Sequence, residues 1–217
     1  MTGRLLIATT NPGKARELRA LLADVAVEVV SPADLALDLD VVEDGATYEA
    51  NAVRKARAFA AAAGLPALAD DSGLDVDALD GQPGVHSARW VPGSDGDRVA
   101  ALLVRLDGVP AERRTARFRS VAALAIPRRD RSDESVATAA GAVEGRIAFP
   151  PRGAGGFGYD PVFLVEDGGL DGTRTMAELD AATKNGLSHR GRAVARLLPA
   201  IARLVEGSVD GFPSGAE

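Results

Sequence analysis

Short apolar runs alternate with polar loops and helix-period stripes along most of this chain. Leu5-Leu6-Ile7-Ala8 reads as a buried strand, the polar segment Thr9 to Lys14 follows it, and Leu18, Leu21 and Leu22 then share one face of a helix. Val27 to Val30 predicts a second strand, and Ser31-Pro32-Ala33-Asp34-Leu35 a capped turn of helix. An acidic loop from Asp38 to Gly45 leads to Thr47, the N-cap expected for a long Ala-rich helix ending near Gly64-Leu65-Pro66. Ala67-Leu68-Ala69 then reads as a strand that runs into the carboxylate pair Asp70-Asp71 and a turn at Ser72-Gly73.

The second half continues the alternation. Leu79 to Gly84 predicts a loop and Asp97 to Leu106 a helix, while Thr115 to Ile126 and Val136 to Ile147 predict a hairpin across the charged turn Pro127 to Glu134. A Gly-rich loop from Gly153 to Asp160 precedes a strand over Pro161 to Val165, and Met176 to Leu179 predicts a short helix. Gly191 to Val205 reads as an amphipathic helix with Ala193, Leu197, Leu198, Ile201 and Leu204 facing inward. The small, polar segment 207–217 reads as a disordered tail. Neither a repeat nor a linker interrupts the pattern, so residues 1–206 read as a single α/β domain with two lobes around a mixed sheet.

Composition narrows the chemistry. The 217 residues are 46% hydrophobic but only 4% aromatic, so the core is expected to be built from small aliphatics in helix–sheet layers. The absence of Cys excludes a disulfide framework, a Cys nucleophile and Cys-ligated zinc; His86 and His189 alone exclude a three-His metal site. A formal charge of −6 argues against a binder of nucleic acid polymers, which needs a basic surface, but allows a small anion in a local basic pocket. No apolar run approaches the ~20 residues that span a bilayer, and the first residues lack a signal peptide's apolar region, so a cytoplasmic protein is expected.

The cations are unevenly chosen. Only Lys14, Lys55 and Lys184 are lysines among 25 Lys+Arg, and the only asparagines are Asn11, Asn51 and Asn185. The two rare sets meet as Asn11-x-x-Lys14, Asn51-x-x-x-Lys55 and Lys184-Asn185. A lysine retained in an arginine-rich chain suits phosphate oxygens as a compact point charge; chance among few residues is the alternative.

Five segments are candidates for chemistry. Thr9 to Lys14 lies between strand and helix, where first-turn amides are free to bind an anion; an ordinary βα turn with Pro12 at the helix start reads equally well. Asn51 and Lys55 share a helix face with Tyr48 one turn earlier, a face that points at a ligand only if the acidic loop does too. Asp70 and Asp71 point to opposite sides if their strand continues; their hard oxygens suit Mg²⁺ bridged to substrate phosphates, with Glu43 or Asp44 as a further ligand, against the alternative of an Asx-type turn. Gly155 to Pro161 carries Phe157 and Tyr159, suited to a planar ligand or tucked into the core. Ser188-His189-Arg190-Gly191 follows Lys184 and concentrates cations at the start of the last helix.

In this order the segments resemble the inosine triphosphate pyrophosphatase family. The motifs are Thr10-Asn11-x-Gly13-Lys14, Glu49-x-Asn51-Ala52-x-x-Lys55-Ala56, Ala69-Asp70-Asp71-Ser72-Gly73-Leu74, Pro83-Gly84-Val85-x-Ser87-Ala88-Arg89, Gly156-Phe157-Gly158-Tyr159-Asp160-Pro161 and Ser188-His189-Arg190-Gly191, spanning about Leu5 to Leu204. The resemblance implies a two-lobed α/β fold around an elongated mixed β-sheet flanked by helices, and a homodimer. It implies that Thr9, Thr10, Asn11, Pro12, Gly13 and Lys14 hold the triphosphate together with Lys55. It further implies that Glu43 and Asp71 hold Mg²⁺, that Asp71 is the proton acceptor and that Ser72 touches substrate. Phe157, Gly158, Tyr159 and Asp160 would stack on and read the purine, with Lys184, His189 and Arg190 on its 6-oxo side. The implied reaction is attack of water on the α-phosphorus of ITP, dITP or XTP, giving the monophosphate and pyrophosphate. Against the family pattern, Asp167 to Thr175 is looser than the short Gly-Lys-Thr segment expected before Ala177-Glu178-Leu179, and Trp90 stands where Tyr is common. Two other readings use the same residues: a nucleotide sensor without catalysis, which could dispense with the carboxylates, and a pyrophosphatase for pyrimidine or modified nucleotides, which needs a different base pocket.

Overall fold

The computed structural model describes residues 3–127 and 135–205; the expected charged turn, beyond Pro127, and the tail from Gly207 lie outside them. Six strands form one sheet: β1 (Gly3–Ile7), β2 (Val27–Val30), β3 (Ala67–Val76), β4 (Thr115–Ile126), β5 (Ser135–Ile147) and β6 (Phe163–Val165), in the order β2-β1-β3-β4-β5-β6. β1 runs parallel to β2, with Leu5 opposite Val29, and to β3, with Leu6 opposite Ala67. β5 and β6 are antiparallel, with Arg146 opposite Leu164, so the sheet is mixed as expected. The helices are α1 (Pro12–Leu21), α2 (Tyr48–Ala63), α3 (Asp95–Arg105), α4 (Ala181–Leu187) and α5 (His189–Val205). Among the described residues no helix is long and apolar enough to cross a membrane.

The contacts gather the chain into two compact units. Among the described residues the first comprises 3–71, 121–127, 135–139 and 193–205. Strand alternation explains why Leu5 to Ala8 is uniformly apolar: both faces are covered. Leu5 and Ile7 pack with Leu18 of α1, Leu22 just after it, and Ala193, Val194, Leu197 and Ile201 of α5. Leu6 and Ala8 pack with Ala52, Ala56, Phe59 and Ala60 of α2, joined by Ala67, Ala69, Ala123 and Ala125. Alanine against alanine on this side lets α2 lie close to the strands. Thr47 caps α2 by accepting from the amide of Ala50, and Gly64 ends it at φ +65°.

The second unit comprises Ser72–Ser120 and Ala140–Arg192. Its core joins Leu74 and Val76 of β3, Ala116 and Phe118 of β4, Val143 and Ile147 of β5, Phe163 and Val165 of β6, and Val99 and Leu102 of α3. Few aromatics suffice because they meet: the rings of Phe118 and Phe163 lie 4.5 Å apart.

Several expected boundaries move. No turn follows Asp70-Asp71; β3 continues through Ser72 and Gly73 because Leu74 and Val76 bury themselves in the second core. α3 begins two residues before Asp97, since Ser94 and Asp97 form a reciprocal cap. Asp160–Val162 is a 3₁₀ turn, leaving only Phe163–Val165 as strand. α4 was not expected at all, and α5 starts at His189 rather than Gly191.

Candidate functional site

In the first unit the chemistry gathers around β3. Alternation sends Asp70 to the side of Leu68 and α1, and Asp71 to the side of Ala69 and α2. Both carboxylates find partners there. Lys14 Nζ lies 3.3 Å from Asp70 Oδ2, and Asn51 Nδ2 donates to Asp71 Oδ2 at 2.9 Å. Asp70 is fully buried and Asp71 nearly so.

The segment before α1 corrects one expectation. Pro12 occupies the first turn and has no amide to offer, and Asn11 Oδ1 accepts the amides of Gly13 at 2.8 Å and Lys14 at 3.0 Å. The helix start is therefore capped by its own chain rather than open to an anion. Thr9 is buried, its Oγ1 accepting the Asn11 amide at 3.2 Å, and Thr10 is exposed. The cation of this segment is the Lys14 side chain.

The acidic loop does pack on the Asn51–Lys55 strip of α2. Glu43 Oε1 lies 2.9 Å from Lys55 Nζ, and the Gly45 amide donates to Asn51 Oδ1 at 2.8 Å. A Cβ on Gly45 would fall 2.6 Å from that oxygen, so this approach requires glycine. Asn51, with no exposed surface, thus ties the loop to Asp71. Asp44 points instead to Arg54 at the surface. Burial, the largest influence, pushes the Asp71 carboxyl above its usual 3.8, opposed by Lys14, the Asn51 hydrogen bond and Lys55 and reinforced by the charge of Glu43. A carboxylate of raised pKa is a stronger base than an ordinary aspartate. Among the described residues no three His, Cys, Asp or Glu side chains form a group that could hold a metal ion by themselves.

The second unit holds the other candidates. In the Gly-rich loop, Asp160 Oδ2 accepts the Phe157 amide at 2.7 Å and the ammonium of Lys184, on α4, at 2.6 Å. Gly156 makes this possible: its φ is +74°, and a Cβ would stand 2.0 Å from Asp160 Oδ2. The Phe157 ring has Lys184 Nζ 5.1 Å and the Arg190 guanidinium 5.6 Å from its centroid. Arg190 is buried and donates to Ser72 Oγ at 2.8 Å, and His189 stacks on Phe118 at 4.8 Å. Tyr159 separates from its neighbour. Its ring is buried in the core and its hydroxyl donates to the Ser87 carbonyl at 3.1 Å; burial pushes that hydroxyl up to about 12.

His189 and Arg190 reach this position through a tight junction. Ser188 ends α4 and accepts the Gly191 amide at 3.1 Å, and a Cβ on Gly191 would lie 1.8 Å from the Asn185 carbonyl oxygen. Only glycine lets the two helices approach so closely.

The uneven choice of cations now has a structural counterpart. Each lysine lies largely buried beside a carboxylate: Lys14 with Asp70, Lys55 with Glu43, Lys184 with Asp160. Asn51, singled out with Lys55 by the rarity of both residue types, proves to be the support of Asp71. Asp95, which accepts the Gly158 amide at 2.7 Å, was missed and carried no signal, since its partner is 63 residues away.

Comparisons with known proteins bear on the same residues. The profile of the Ham1 family matches residues 5–200. A protein of Symbiobacterium thermophilum named dITP/XTP pyrophosphatase is 55% identical over 206 residues, covering 94% of this chain and 97% of its own. One of Nocardia farcinica with the same name is 47% identical, covering 94% and 97%. The structure of a Ham1 protein from Coxiella burnetii superposes with a TM-score of 0.77 at 37% identity, covering 94% of this chain and all of that one. A nucleoside-triphosphatase / dITP/XTP pyrophosphatase from Mycobacterium abscessus gives 0.66 at 47% identity, covering 90% and 99%. Because the family match runs from β1 almost to the end of α5 and takes in every candidate segment, the chain belongs to the Ham1 family.

Proposed function

We propose that this protein hydrolyses non-standard purine nucleoside triphosphates, ITP, dITP and XTP, to the monophosphate and pyrophosphate, removing them from the nucleotide pool. Relatives at up to 55% identity bear the name dITP/XTP pyrophosphatase. The observation that carries the reading is the buried Asp71 carboxylate, held by Asn51 at 2.9 Å and influenced by Lys14, Lys55 and Glu43.

Each residue then has a task. Asp71 accepts the proton of the attacking water; the water oxygen bonds to the α-phosphorus, the bond to the bridging α–β oxygen breaks, and pyrophosphate leaves. Lys14 and Lys55 neutralise the phosphate oxygens, and Thr9, Thr10, Asn11, Pro12 and Gly13 form the capped turn that presents Lys14 to them. Phe157 supplies a face for the purine, in a loop shaped by Gly158, Tyr159 and Asp160, with Ser72 beside Arg190. Lys184, His189 and Arg190 present donors to a 6-oxo group, which accepts; the 6-amino group of adenine would meet donors with a donor.

The donor set suits Mg²⁺, which is held by one or two carboxylates and substrate phosphates rather than by an all-protein cage. Glu43 and Asp71 are those carboxylates, close enough that the charge of one raises the pKa of the other. When bound, the ion would offset phosphate charge and polarise the phosphorus toward water. We further assign the protein to the cytoplasm, as a homodimer acting on free nucleotides rather than on nucleic acid polymers.

The test is a panel of ITP, dITP, XTP, GTP, ATP and dUTP with Mg²⁺. Turnover of the first three well above the rest supports the assignment, and ATP or dUTP turned over as fast as ITP refutes it.

A further inference from the structure

Asp95 lies in the first turn of α3, where a carboxylate ordinarily serves its own helix. Here that role is filled by others: Asp97 Oδ2 accepts the Ser94 amide at 2.7 Å and Ser94 Oγ accepts the Asp97 amide at 3.2 Å. Asp95 turns outward instead. Its Oδ2 accepts the Gly158 amide at 2.7 Å, and its Oδ1 is gripped by Arg98 at 2.5 Å. Arg98 is itself anchored, its other terminal nitrogen donating to the Gly93 carbonyl at 2.9 Å. The carboxylate is thus clamped from behind while it holds the Gly-rich loop in front.

What it holds is the backbone around Phe157. The amide of Phe157 is bound by Asp160, and the next amide, that of Gly158, by Asp95. Gly158 adopts φ +62°, a conformation that favours glycine, at the point where its amide meets that carboxylate. An amide bound to a carboxylate is a strong, short contact. The two bonds bracket the one residue whose ring lies over Lys184 and Arg190. Displacing such a ring by about 1 Å is enough to degrade a bound geometry severely.

We propose that Asp95 is a positioning residue for base selection: by fixing the peptide after Phe157 it sets where that ring stands relative to Lys184 and Arg190. The inference rests on the purine triphosphatase reading, and its test separates the two. Asp95→Ala and Asp95→Asn are compared with wild type for kcat and KM on ITP and ATP, for urea unfolding, and for hydrogen exchange at the Gly158 amide. Asp95→Ala is expected to raise KM for ITP about tenfold, to leave kcat within about twofold, and to shrink the preference for ITP over ATP. Asp95→Asn keeps an acceptor oxygen for Gly158 and recovers most of the loss. Faster exchange at Gly158 in the alanine variant, reversed by asparagine, accompanies the KM effect. An unchanged ITP-to-ATP ratio overturns the proposal, whether kcat falls equally for both substrates or exchange alone changes. A wild-type protein inactive on ITP overturns the functional reading and the selection claim with it, and the exchange data then report only on the loop.

Discussion

Asp167 and Arg192 offer a prediction whose size follows from the geometry. Asp167 accepts two hydrogen bonds from the guanidinium of Arg192, at 2.6 and 3.0 Å, and the amide of Gly168 at 2.6 Å. The Arg192 hydrogen bonds are the largest influence on the carboxyl, opposed by its burial; the balance holds it down at about 2, against an ordinary 3.8. That difference corresponds to about 2.4 kcal/mol of stability at neutral pH. The two side chains are 28% and 32% exposed, so solvent screening brings the expected contribution to about 1–2 kcal/mol. A carboxyl depressed on folding stabilises above its unfolded value, and the contribution fades as pH falls from 3.8 toward about 2. Asp167→Asn should therefore be less stable than wild type by about 1–2 kcal/mol near neutrality in urea unfolding, with the gap closing as the pH approaches 2. A gap that stays constant over that window, or no gap near neutrality, refutes the reasoning.

Removing the charge of Asp71 should separate stability from activity. Asp71→Asn is expected to abolish ITP turnover, keep partial nucleotide binding and match or exceed wild-type stability at neutral pH, because a buried carboxylate is replaced by a neutral group of similar size; an active variant with Mg²⁺ contradicts the role. In the protein without Mg²⁺, burial should make the Asp71 carboxyl take up its proton above pH 3.8; an NMR titration that places it at or below 3.8 contradicts this. Lys55→Ala should weaken ITP binding about tenfold while leaving inosine binding nearly unchanged, measured by calorimetry in the Asp71→Asn background. Equal loss for both ligands would make Lys55 structural.

The parts of the fold legible in the sequence are those where local chemistry and burial agree. β1 and the second half of β4 declare themselves by apolar runs, β2 by its valines, and α2 by Thr47 at one end and Gly64 at the other. β3 looked interrupted because Asp-Asp-Ser-Gly has the chemistry of a turn. The strand continues because Lys14 and Asn51, from helices on either side, supply partners for the two carboxylates. α4 escaped notice for the opposite reason: Thr183, Asn185 and Gly186 are poor helix formers, and the helix is started by the Asp180 side chain accepting the Thr183 amide. The rarity of lysine and asparagine marked Lys14, Lys55, Lys184 and Asn51, and each of them meets a carboxylate in the structure. Tertiary contacts such as Asp95 to Gly158 left no local trace.

Hydrolysis of ITP in ¹⁸O-labelled water with Mg²⁺, resolving both products by mass, tests the central claim most directly. Attack at the α-phosphorus predicts one ¹⁸O in inosine monophosphate and none in pyrophosphate. Label in pyrophosphate, or release of orthophosphate as the primary product, would contradict it.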